Sequence, residues 1–247
     1  MPRDRLLILG GTRDAREIAD VLVASGRNVV TSLAGVTAQP LLPAGEVRVG
    51  GFGGVAGLKS YLETAQIALV IDATHPFAAR MSAQAVAACD DCRVPLLRFE
   101  RPPWTARAGD DWRIVDSATQ AASVLPRGAR VLLTTGRKDL DPFFARSDIS
   151  GIARMIEEPP LNPPSNWKIL RERPPFTVPD EMALISDNAI THLVTKNAGG
   201  RATEAKLHAA RELRIPVVMI ARPVKPDAPC VAAMDNLLAV VEGVLCP

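Results

Sequence analysis

Short apolar runs alternate along the chain with stretches in which apolar residues recur every three or four positions. In the first half the apolar runs fall at residues 5–10, 28–33, 46–51, 67–73, 94–100 and 112–116, and the helical spacing falls at 13–25, 55–64, 77–88 and 117–125. A short continuous run is typical of a strand buried on both faces, and the wider spacing is typical of an amphipathic helix. Alternating strands and helices predict a doubly wound parallel sheet.

The second half repeats this pattern. Its expected strands are 130–136, 151–159, 167–176, 191–197 and 216–223, and its expected helices are 137–146, 180–189, 202–213 and 235–245, with Asp180 and Asp235 as N-caps. The stretch RVLLTTGRKDL echoes RLLILGGTRDA of the first half, although so short an echo arises easily by chance. We predict an α/β protein with two Rossmann-like parallel-sheet domains, residues 1–126 and 127–247, flanking a cleft.

Composition narrows the class of partner. The chain has 247 residues, a formal net charge of +2 and 4% aromatic residues, so it lacks the basic surplus or aromatic platform expected of a nucleic-acid-binding protein. The first apolar run is too short for a signal peptide or a membrane span. We expect a cytoplasmic enzyme that binds neither nucleic acid nor a membrane.

A Cys-x-x-Cys pair, Cys89 and Cys92, raises the question of redox or zinc chemistry. Reactive thiols of this kind lie at a helix N-terminus, where the dipole lowers the thiol pKa, but this pair follows the end of the helical pattern AQAVAA. A zinc site needs a second pair of ligands, and the sequence offers none at suitable spacing. We predict structural thiols and no metal site.

The first strand leads into the turn GGTRDA, residues 10–15, and then into a helix. Against the dinucleotide-binding pattern G-x-G-x-x-G, Gly10 supplies the tight turn, Thr12 replaces the second glycine, and Ala15 is an accepted small residue at the third. Unpaired amides and the dipole at a helix N-terminus attract phosphate. The sequence predicts a phosphate site here, and the alternative is a strand-to-helix turn without a ligand.

The second strand bears on the choice of cofactor. A domain that binds NAD usually carries Asp or Glu near the end of this strand, where it bonds the ribose 2′-hydroxyl. Residues 29–35 contain no acid, whereas Thr31 and Ser32 can donate to a phosphate and Arg13 is close in sequence. If a dinucleotide binds, NADP is therefore favoured over NAD.

Chemistry-bearing residues follow the strand at 67–72. Asp72 ends the strand, Thr74 is expected to cap the next helix, and Pro76 suits its first turn. His75 is then placed at the carboxyl end of a strand, where it can act as an acid or base or bind a ligand. The alternative is that residues 74–76 only start a helix.

Two basic turns occur in the second half. Thr135, Gly136, Arg137 and Lys138 fall in the first, which suits a carboxylate or phosphate or is simply a solvated turn. The second follows the strand at 191–197 and contains further glycines and cations, and one more cation ends the following strand: Lys196, Asn197, Gly199, Gly200, Arg201, Thr203, Lys206 and Arg222. Converging cations suggest a substrate with several negative groups. For Lys206 the alternative is an exposed helix cation.

Four stretches together resemble the precorrin-6A reductase family of cobalamin biosynthesis. They are ILGGTRDA, DATHPFA, TTGRKDL and KNAGGRATEAKLHAARELRIPVVMIARP, and they span nearly the whole chain in the expected order. The resemblance implies two Rossmann-like domains and NADPH-dependent hydride transfer to a ring double bond of precorrin-6A, giving precorrin-6B. It also implies an anionic tetrapyrrole as the partner, whose acetate and propionate arms account for the cations.

The resemblance assigns roles by position. It implies cofactor contacts at Gly10, Gly11, Thr12, Arg13, Ser32, Gly51, Asp72, Thr74 and His75, with His75 as the catalytic acid unless water supplies the proton. It implies substrate contacts at Thr135, Gly136, Arg137, Lys138, Lys196, Asn197, Gly200, Arg201, Thr203, Lys206 and Arg222. Three alternatives stay open: a cobalt-precorrin-6A reductase, another NADP-dependent reductase of a small anion, and a non-catalytic NADP-sensing module.

Overall fold

The computed structural model describes residues 4–35, 41–159 and 162–245. The chain forms two compact units, one made of Met1–Pro102 with Pro223–Pro247 and the other of Pro103–Arg222. Each unit contains a six-stranded sheet with parallel pairings throughout. The predicted α/β class with two parallel sheets is confirmed, and the predicted cleft stays a prediction.

The first unit is built around apolar strands that are covered on both faces. Its strands are β1 (Arg5–Leu9), β2 (Asn28–Leu33), β3 (Glu46–Val49), β4 (Ile67–Asp72), β5 (Leu96–Phe99) and β12 (Cys230–Val231). Its helices are α1 (Arg13–Ala24), α2 (Val55–Thr64), α3 (Ala79–Cys92) and α8 (Met234–Leu245). Since side chains alternate along a strand, Leu6 and Ile8 pack with α1 and α8, whereas Leu7 and Leu9 pack with α2 and α3.

The strand order of this sheet identifies the place where a ligand is expected. The order β3-β2-β1-β4-β5-β12 is that of the dinucleotide-binding Rossmann sheet. All strands stay parallel, but the order in which they are added reverses between β1 and β4. In such sheets ligands bind at the carboxyl ends of the strands at this switch point. The two motifs that the sequence singles out in the first half follow β1 and β4 directly.

The second unit repeats the arrangement with one change at the edge. Its strands are β6 (Trp112–Val115), β7 (Arg130–Thr134), β8 (Ser150–Met155), β9 (Trp167–Arg171), β10 (His192–Lys196) and β11 (Val217–Ile220). Its helices are α4 (Ala118–Val124), α5 (Asp141–Phe144), α6 (Val178–Asp187) and α7 (Ala205–Glu212). The order β9-β8-β7-β10-β11-β6 places a second switch point between β7 and β10, and the two basic turns follow these strands.

The unit boundaries differ from the expected division at residue 126. β6 pairs with β11 of the second sheet, and β12 pairs with β5 of the first, so the chain returns to the first unit after Arg222. Apolar periodicity identifies a strand but does not identify its partner. The sequence therefore predicts β6 as a strand without assigning it to the correct sheet, and it offers no pattern for the two residues of β12.

Several helix starts also differ from the prediction. Thr177, not Asp180, caps α6, because the Thr177 hydroxyl accepts a hydrogen bond from the Asp180 N–H at 3.3 Å. Asp235 likewise lies inside the first turn of α8. The helix expected at 137–146 is only the four-residue α5, and the helix expected to begin at residue 77 begins at Ala79. A short 3-10 turn, Arg201–Thr203, precedes α7.

Candidate functional site

The glycine turn after β1 needs glycine at two positions for different reasons. Gly11 has a φ of 99°, in the left-handed region that other residues rarely adopt. A Cβ at Gly10 would lie 2.8 Å from Thr31 Cγ2, so the turn approaches β2 too closely for a side chain. Thr31 itself is buried, 1% exposed, and its hydroxyl is therefore not a phosphate contact at the surface.

Thr12 joins this turn to the helix and to the neighbouring strand. Its hydroxyl accepts a hydrogen bond from the Ala15 N–H at 3.0 Å, which makes Thr12 the N-cap of α1, and donates to the Ala73 carbonyl oxygen at 2.8 Å. Arg13, the first helical residue, is exposed and pairs with Glu17 at 2.6 Å. The amino end of a 12-residue helix is thus held beside the ends of β1 and β4.

An arginine that the sequence reading missed lies at the end of β2. Arg48 on β3 is in register with Ser32, and its Nη1 donates to Ser32 Oγ at 3.2 Å and to the Gly50 carbonyl oxygen at 2.5 Å. Its Nη2 donates to the carbonyl oxygen of the predicted contact Gly51 at 2.9 Å. The guanidinium stacks over the Phe52 ring at 3.9 Å. A single arginine in a four-residue strand carries no sequence signal of this role.

Asp72 closes β4 with a buried carboxylate. The side chain is 1% exposed, and Oδ1 accepts hydrogen bonds from the Thr74 hydroxyl at 2.7 Å and the Thr74 N–H at 3.2 Å. Oδ2 lies 3.6 Å from Nε of Arg98, a second residue that sequence reasoning missed. Thr74 therefore bonds back to Asp72, and the prediction that it caps α3 is wrong, because the helix begins only at Ala79.

His75 is the exposed group of this turn. Its Nδ1 accepts a hydrogen bond from the Phe77 N–H at 3.2 Å, and the two rings lie 5.9 Å apart between centroids. An acceptor Nδ1 requires the neutral imidazole to carry its proton on Nε2. Pro76 lies ahead of α3 and not in its first turn. The Ala78 N–H donates to the His75 carbonyl oxygen at 2.7 Å, so residues 75–78 form a separate turn at the switch point rather than a helix start.

The first basic turn of the second unit follows β7. Gly136 has a φ of 82°, Thr135 is buried, Arg137 is half-buried and Lys138 is exposed. The predicted pattern of a strand followed directly by a helix is wrong here, because only the four-residue α5 follows. This turn therefore lacks the long helix N-terminus of its counterpart after β1.

The second basic turn follows β10 and is held by its own side chains. Lys196 forms an ion pair with Asp139 of the first basic turn. The side chain of Asn197 accepts from the Trp104 N–H at 2.8 Å and donates to the Trp104 carbonyl oxygen at 3.0 Å. Arg222 Nε donates to the Asn197 carbonyl oxygen at 2.9 Å. Asn197 and Arg222 thus brace the loop, and both basic turns meet at the second switch point.

The remaining predicted substrate contacts are distributed unevenly. Gly200, with a φ of 87°, precedes the 3-10 turn, which contains the exposed Arg201 and the half-buried Thr203. Lys206 in the first turn of α7 is only 5% exposed, so the alternative of an exposed helix cation is wrong. Its Nζ lies 5.2 Å from the centroid of the Trp104 ring.

The burial of Lys206 changes its protonation. Burial and the nearby Arg154 guanidinium lower the pKa of Lys206 to about 7, and the Glu181 carboxylate opposes them. Arg154 and Glu181 form a buried ion pair at 2.6 Å, and Arg154 stacks over the Phe176 ring at 3.8 Å. Periodicity gave no signal of this cluster, because cationic side chains on a helix are usually solvated.

The thiols and other candidate sites add little chemistry. Cys89 and Cys92 lie in the last turn of α3, and burial raises the pKa of the Cys89 thiol to about 12. Among the described residues, no three His, Cys, Asp or Glu side chains form a group that could hold a metal ion. In the same part of the chain, no helix has the length and hydropathy needed to cross a membrane.

The strand order and capped glycine turn of the first unit define a Rossmann-type α/β protein. Comparison with known protein families identifies the family within this class. Residues 5–242 match the family described as "Precorrin-6x reductase CbiJ/CobK", and the chain belongs to this family.

Individual relatives agree with this result. The chain is 46% identical to the precorrin-6A reductase of Rhodobacter capsulatus, over 98% of this chain and 94% of that protein. It is 31% identical to the cobalt-precorrin-6A reductase of Synechocystis sp., over 87% of each. A solved structure described as CobK precorrin-6A reductase superposes with a TM-score of 0.92 at 43% identity, covering 97% of this chain and 96% of that one.

Proposed function

We propose that this protein reduces a macrocycle double bond of precorrin-6A to give precorrin-6B, with NADPH as the hydride donor. The observation that carries the proposal is the capped glycine turn at the switch point of a Rossmann-ordered sheet, in a chain 46% identical to a precorrin-6A reductase. Identity to the relatives named for the cobalt-free substrate reaches 46%, against 31% for those named for the cobalt form. This difference favours the cobalt-free substrate.

Two features of the first unit support NADPH over NADH. No carboxylate ends β2, where a domain that binds NAD holds the ribose 2′-hydroxyl. Instead, the Ser32 hydroxyl and the Arg48 guanidinium lie together there, 3.2 Å apart. Arginine offers several donors to a phosphate, and an arginine near this point accommodates the 2′-phosphate of NADP. We assign the 2′-phosphate to Arg48 and Ser32, and the pyrophosphate to Gly10, Gly11, Thr12 and Arg13.

The turn after β4 supplies the remaining groups of the cofactor half. When bound, the cofactor supplies a hydride to one carbon of the substrate double bond. We assign to His75 Nε2 the proton that the other carbon takes. The donor is the imidazolium, because the neutral ring, whose Nδ1 accepts from the Phe77 N–H, would be left as an imidazolate. His75 is exposed and regains its proton from solvent. Asp72 is buried, so its role at this site is to hold the Thr74 turn rather than to touch the cofactor.

We assign the carboxylate arms of the substrate to the basic turns of the second unit. Lys138 and Arg201 are exposed, and Arg137 and Thr203 are half-buried, so these side chains are the first candidates, with the backbone of Thr135, Gly136 and Gly200 and the ammonium of Lys196 beside them. Asn197, Arg222 and Lys206 are engaged within the fold, and we assign them to support of these turns rather than to direct contact.

Steady-state NADPH oxidation tests the proposal. Purified protein is assayed with precorrin-6A, with cobalt-precorrin-6A and without a tetrapyrrole, each with NADPH and NADH in parallel. The proposal predicts oxidation that requires precorrin-6A and prefers NADPH. Oxidation only with the cobalt form would show that cobalt-precorrin-6A, and not precorrin-6A, is the substrate. Oxidation without a tetrapyrrole would indicate a reductase of another substrate. NADPH binding without any oxidation would indicate a non-catalytic NADP-sensing module.

A further inference from the structure

Arg98 is a buried cation of the first sheet that none of the assigned cofactor or substrate contacts involves. It is on β5, in register with Asp72 on one side and with Cys230 of β12 on the other. Its side chain is 9% exposed although it carries a permanent charge. A buried guanidinium is costly unless it is paired and bonded, so its partners indicate what it does.

Those partners lie on both sides of the strand. Nε is 3.6 Å from Asp72 Oδ2, and Nη2 donates to the Pro226 carbonyl oxygen at 3.0 Å. The backbone N–H of Arg98 donates to the Pro229 carbonyl oxygen at 2.8 Å. Arg98 therefore links the segment that returns to the first unit, residues 223–229, to the carboxylate at the end of β4.

The Asp72 carboxylate connects Arg98 to the turn that carries His75, because it contacts both Arg98 and Thr74. One oxygen of Asp72 faces Arg98, and the other accepts both hydrogen bonds from Thr74. A second contact comes from α1, because the Thr12 hydroxyl donates to the Ala73 carbonyl oxygen at 2.8 Å. The turn is thus held between the N-cap of α1 and the Asp72–Arg98 pair.

We propose that Arg98 is a positioning residue for the reduction: through Asp72 it fixes the Thr74–His75 turn. This inference rests on the proposed function, because it gives the turn a role in proton delivery. Without the guanidinium, the buried Asp72 carboxylate loses its counter-charge and moves or recruits another partner. The bonds to Thr74 then change, and the His75 ring no longer stands where the proton is needed.

The test compares Arg98→Met with Arg5→Met as a matched control. Arg5 is the first residue of β1 in the same sheet, at the amino ends of the strands, and it pairs with Glu46. Rates are expressed per NADPH-binding site, so that loss of folded protein does not count. We expect Arg98→Met to lower kcat about ten- to hundredfold, the scale of a small misplacement of a reacting group. We also expect a larger solvent deuterium isotope effect on kcat, since proton delivery becomes slower, and no change in either quantity for Arg5→Met.

A double-mutant cycle tests whether Arg98 acts through Asp72. Asp72→Asn keeps the shape of the side chain and removes its charge. If the two residues act as one unit, the double variant loses no more than the more damaging single variant; independent roles predict multiplied losses. Asp72→Asn and Arg98→Lys also serve if Arg98→Met fails to fold, and Arg98→Lys should recover most of kcat because the charge beside Asp72 is kept.

Three results would overturn the inference. One is wild-type kcat per site in Arg98→Met, another is an unchanged solvent isotope effect, and the third is multiplicative loss in the cycle. These outcomes all presuppose that the wild-type protein oxidises NADPH in the presence of precorrin-6A. An inactive wild-type protein with intact NADPH binding would contradict the proposed function instead, so the two failures are distinguishable.

Discussion

The two units share a strand order but differ at the turn that follows their first central strand. β1 and β7 occupy equivalent places beside a switch point, and the turn after each strand contains a glycine with positive φ, Gly11 and Gly136 respectively. After Gly11 comes a capped helix of 12 residues, whereas after Gly136 only the four-residue α5 forms. The first turn thus has a helix dipole to offer a phosphate, and the second does not.

The second difference concerns the charges at each switch point. In the first unit, Asp72 is buried and His75 is the exposed group after β4. In the second, Lys196 ends β10 and is followed by the 3-10 turn with exposed Arg201. The same strand order therefore carries different binding groups in the two units. The first unit offers backbone amides suited to a pyrophosphate, and the second offers side-chain cations suited to carboxylates. Strand order alone would have assigned the same ligand to both.

The largest expected effect is the loss of NADPH binding when the glycine turn of the first unit is altered. Gly11→Val forces a β-branched residue into a left-handed backbone conformation and places methyl groups at the expected phosphate position. The strain and the lost contacts predict an NADPH Kd raised by about a hundredfold, or about 2.7 kcal/mol. The matched change, Gly136→Val, meets the same backbone strain in the second unit and should leave the NADPH Kd within about twofold. Equal loss in both variants, measured by calorimetry, would contradict the division of roles.

A smaller effect sharpens the assignment of the cofactor. Arg48→Met keeps an unbranched side chain over Phe52 but removes the donors beside Ser32. A hydrogen bond to a charged group contributes about 1.5–3 kcal/mol, so kcat/KM for NADPH should fall about ten- to hundredfold. The value for NADH should stay near its wild-type level, because NADH lacks the 2′-phosphate. A parallel fall for both cofactors would place the 2′-phosphate elsewhere.

The third prediction concerns the buried cluster of the second unit. Lys206 has a folded-state pKa of about 7, below that of an unfolded lysine, so the unfolded chain binds more protons between about pH 7 and 10.5. The unfolding free energy should therefore rise with pH in this window, by at most about 1.4 kcal/mol per pH unit from this group. Lys206→Met should remove this slope. Lys168→Met, at an exposed lysine of the same unit, should keep it.

Tryptophan fluorescence offers a clean readout of that slope. All three tryptophans, Trp104, Trp112 and Trp167, belong to the second unit, so denaturant unfolding followed by their emission reports on that unit. Below about pH 6 the variant and the wild-type protein should show parallel pH dependences, because Lys206 is then charged in both folded and unfolded states. An unchanged slope in Lys206→Met between pH 7 and 9 would show that burial does not shift this lysine.

The sequence predicts the parts of this molecule that depend on neighbours in the chain. Strand, glycine turn and helix succeed one another at 5–24, and the burial of Leu6 to Leu9 on both faces follows from four consecutive apolar residues. Parallel sheets and the placement of the chemistry-bearing motifs after strands were therefore predictable. The placement of β6 and β12 was not, because pairing across more than 100 residues leaves no trace in local periodicity.

The candidate site divides in the same way. Glycines at a turn and an exposed His75 after a strand are visible in the sequence, since backbone geometry and strand ends govern them. Arg48 and Arg98 are single cations within short strands, and only the folded sheet brings them to Ser32 and Asp72. Lys206 is the opposite case. Its position next to a glycine turn predicts an exposed cation that contacts a ligand, but in the folded protein its side chain is buried.

The most direct test of the account follows the hydride itself. NADPH carrying deuterium at the transferable position of the nicotinamide is mixed with precorrin-6A and the protein. The mass of the tetrapyrrole product is then measured by mass spectrometry. We predict precorrin-6B containing a single deuterium from the cofactor. With Gly11→Val at NADPH concentrations well below the Kd of both proteins, we predict about a hundredfold less labelled product in the same time. Unlabelled product, or consumption of NADPH without a reduced macrocycle, would contradict the claim that this protein transfers hydride from a cofactor held at the first switch point.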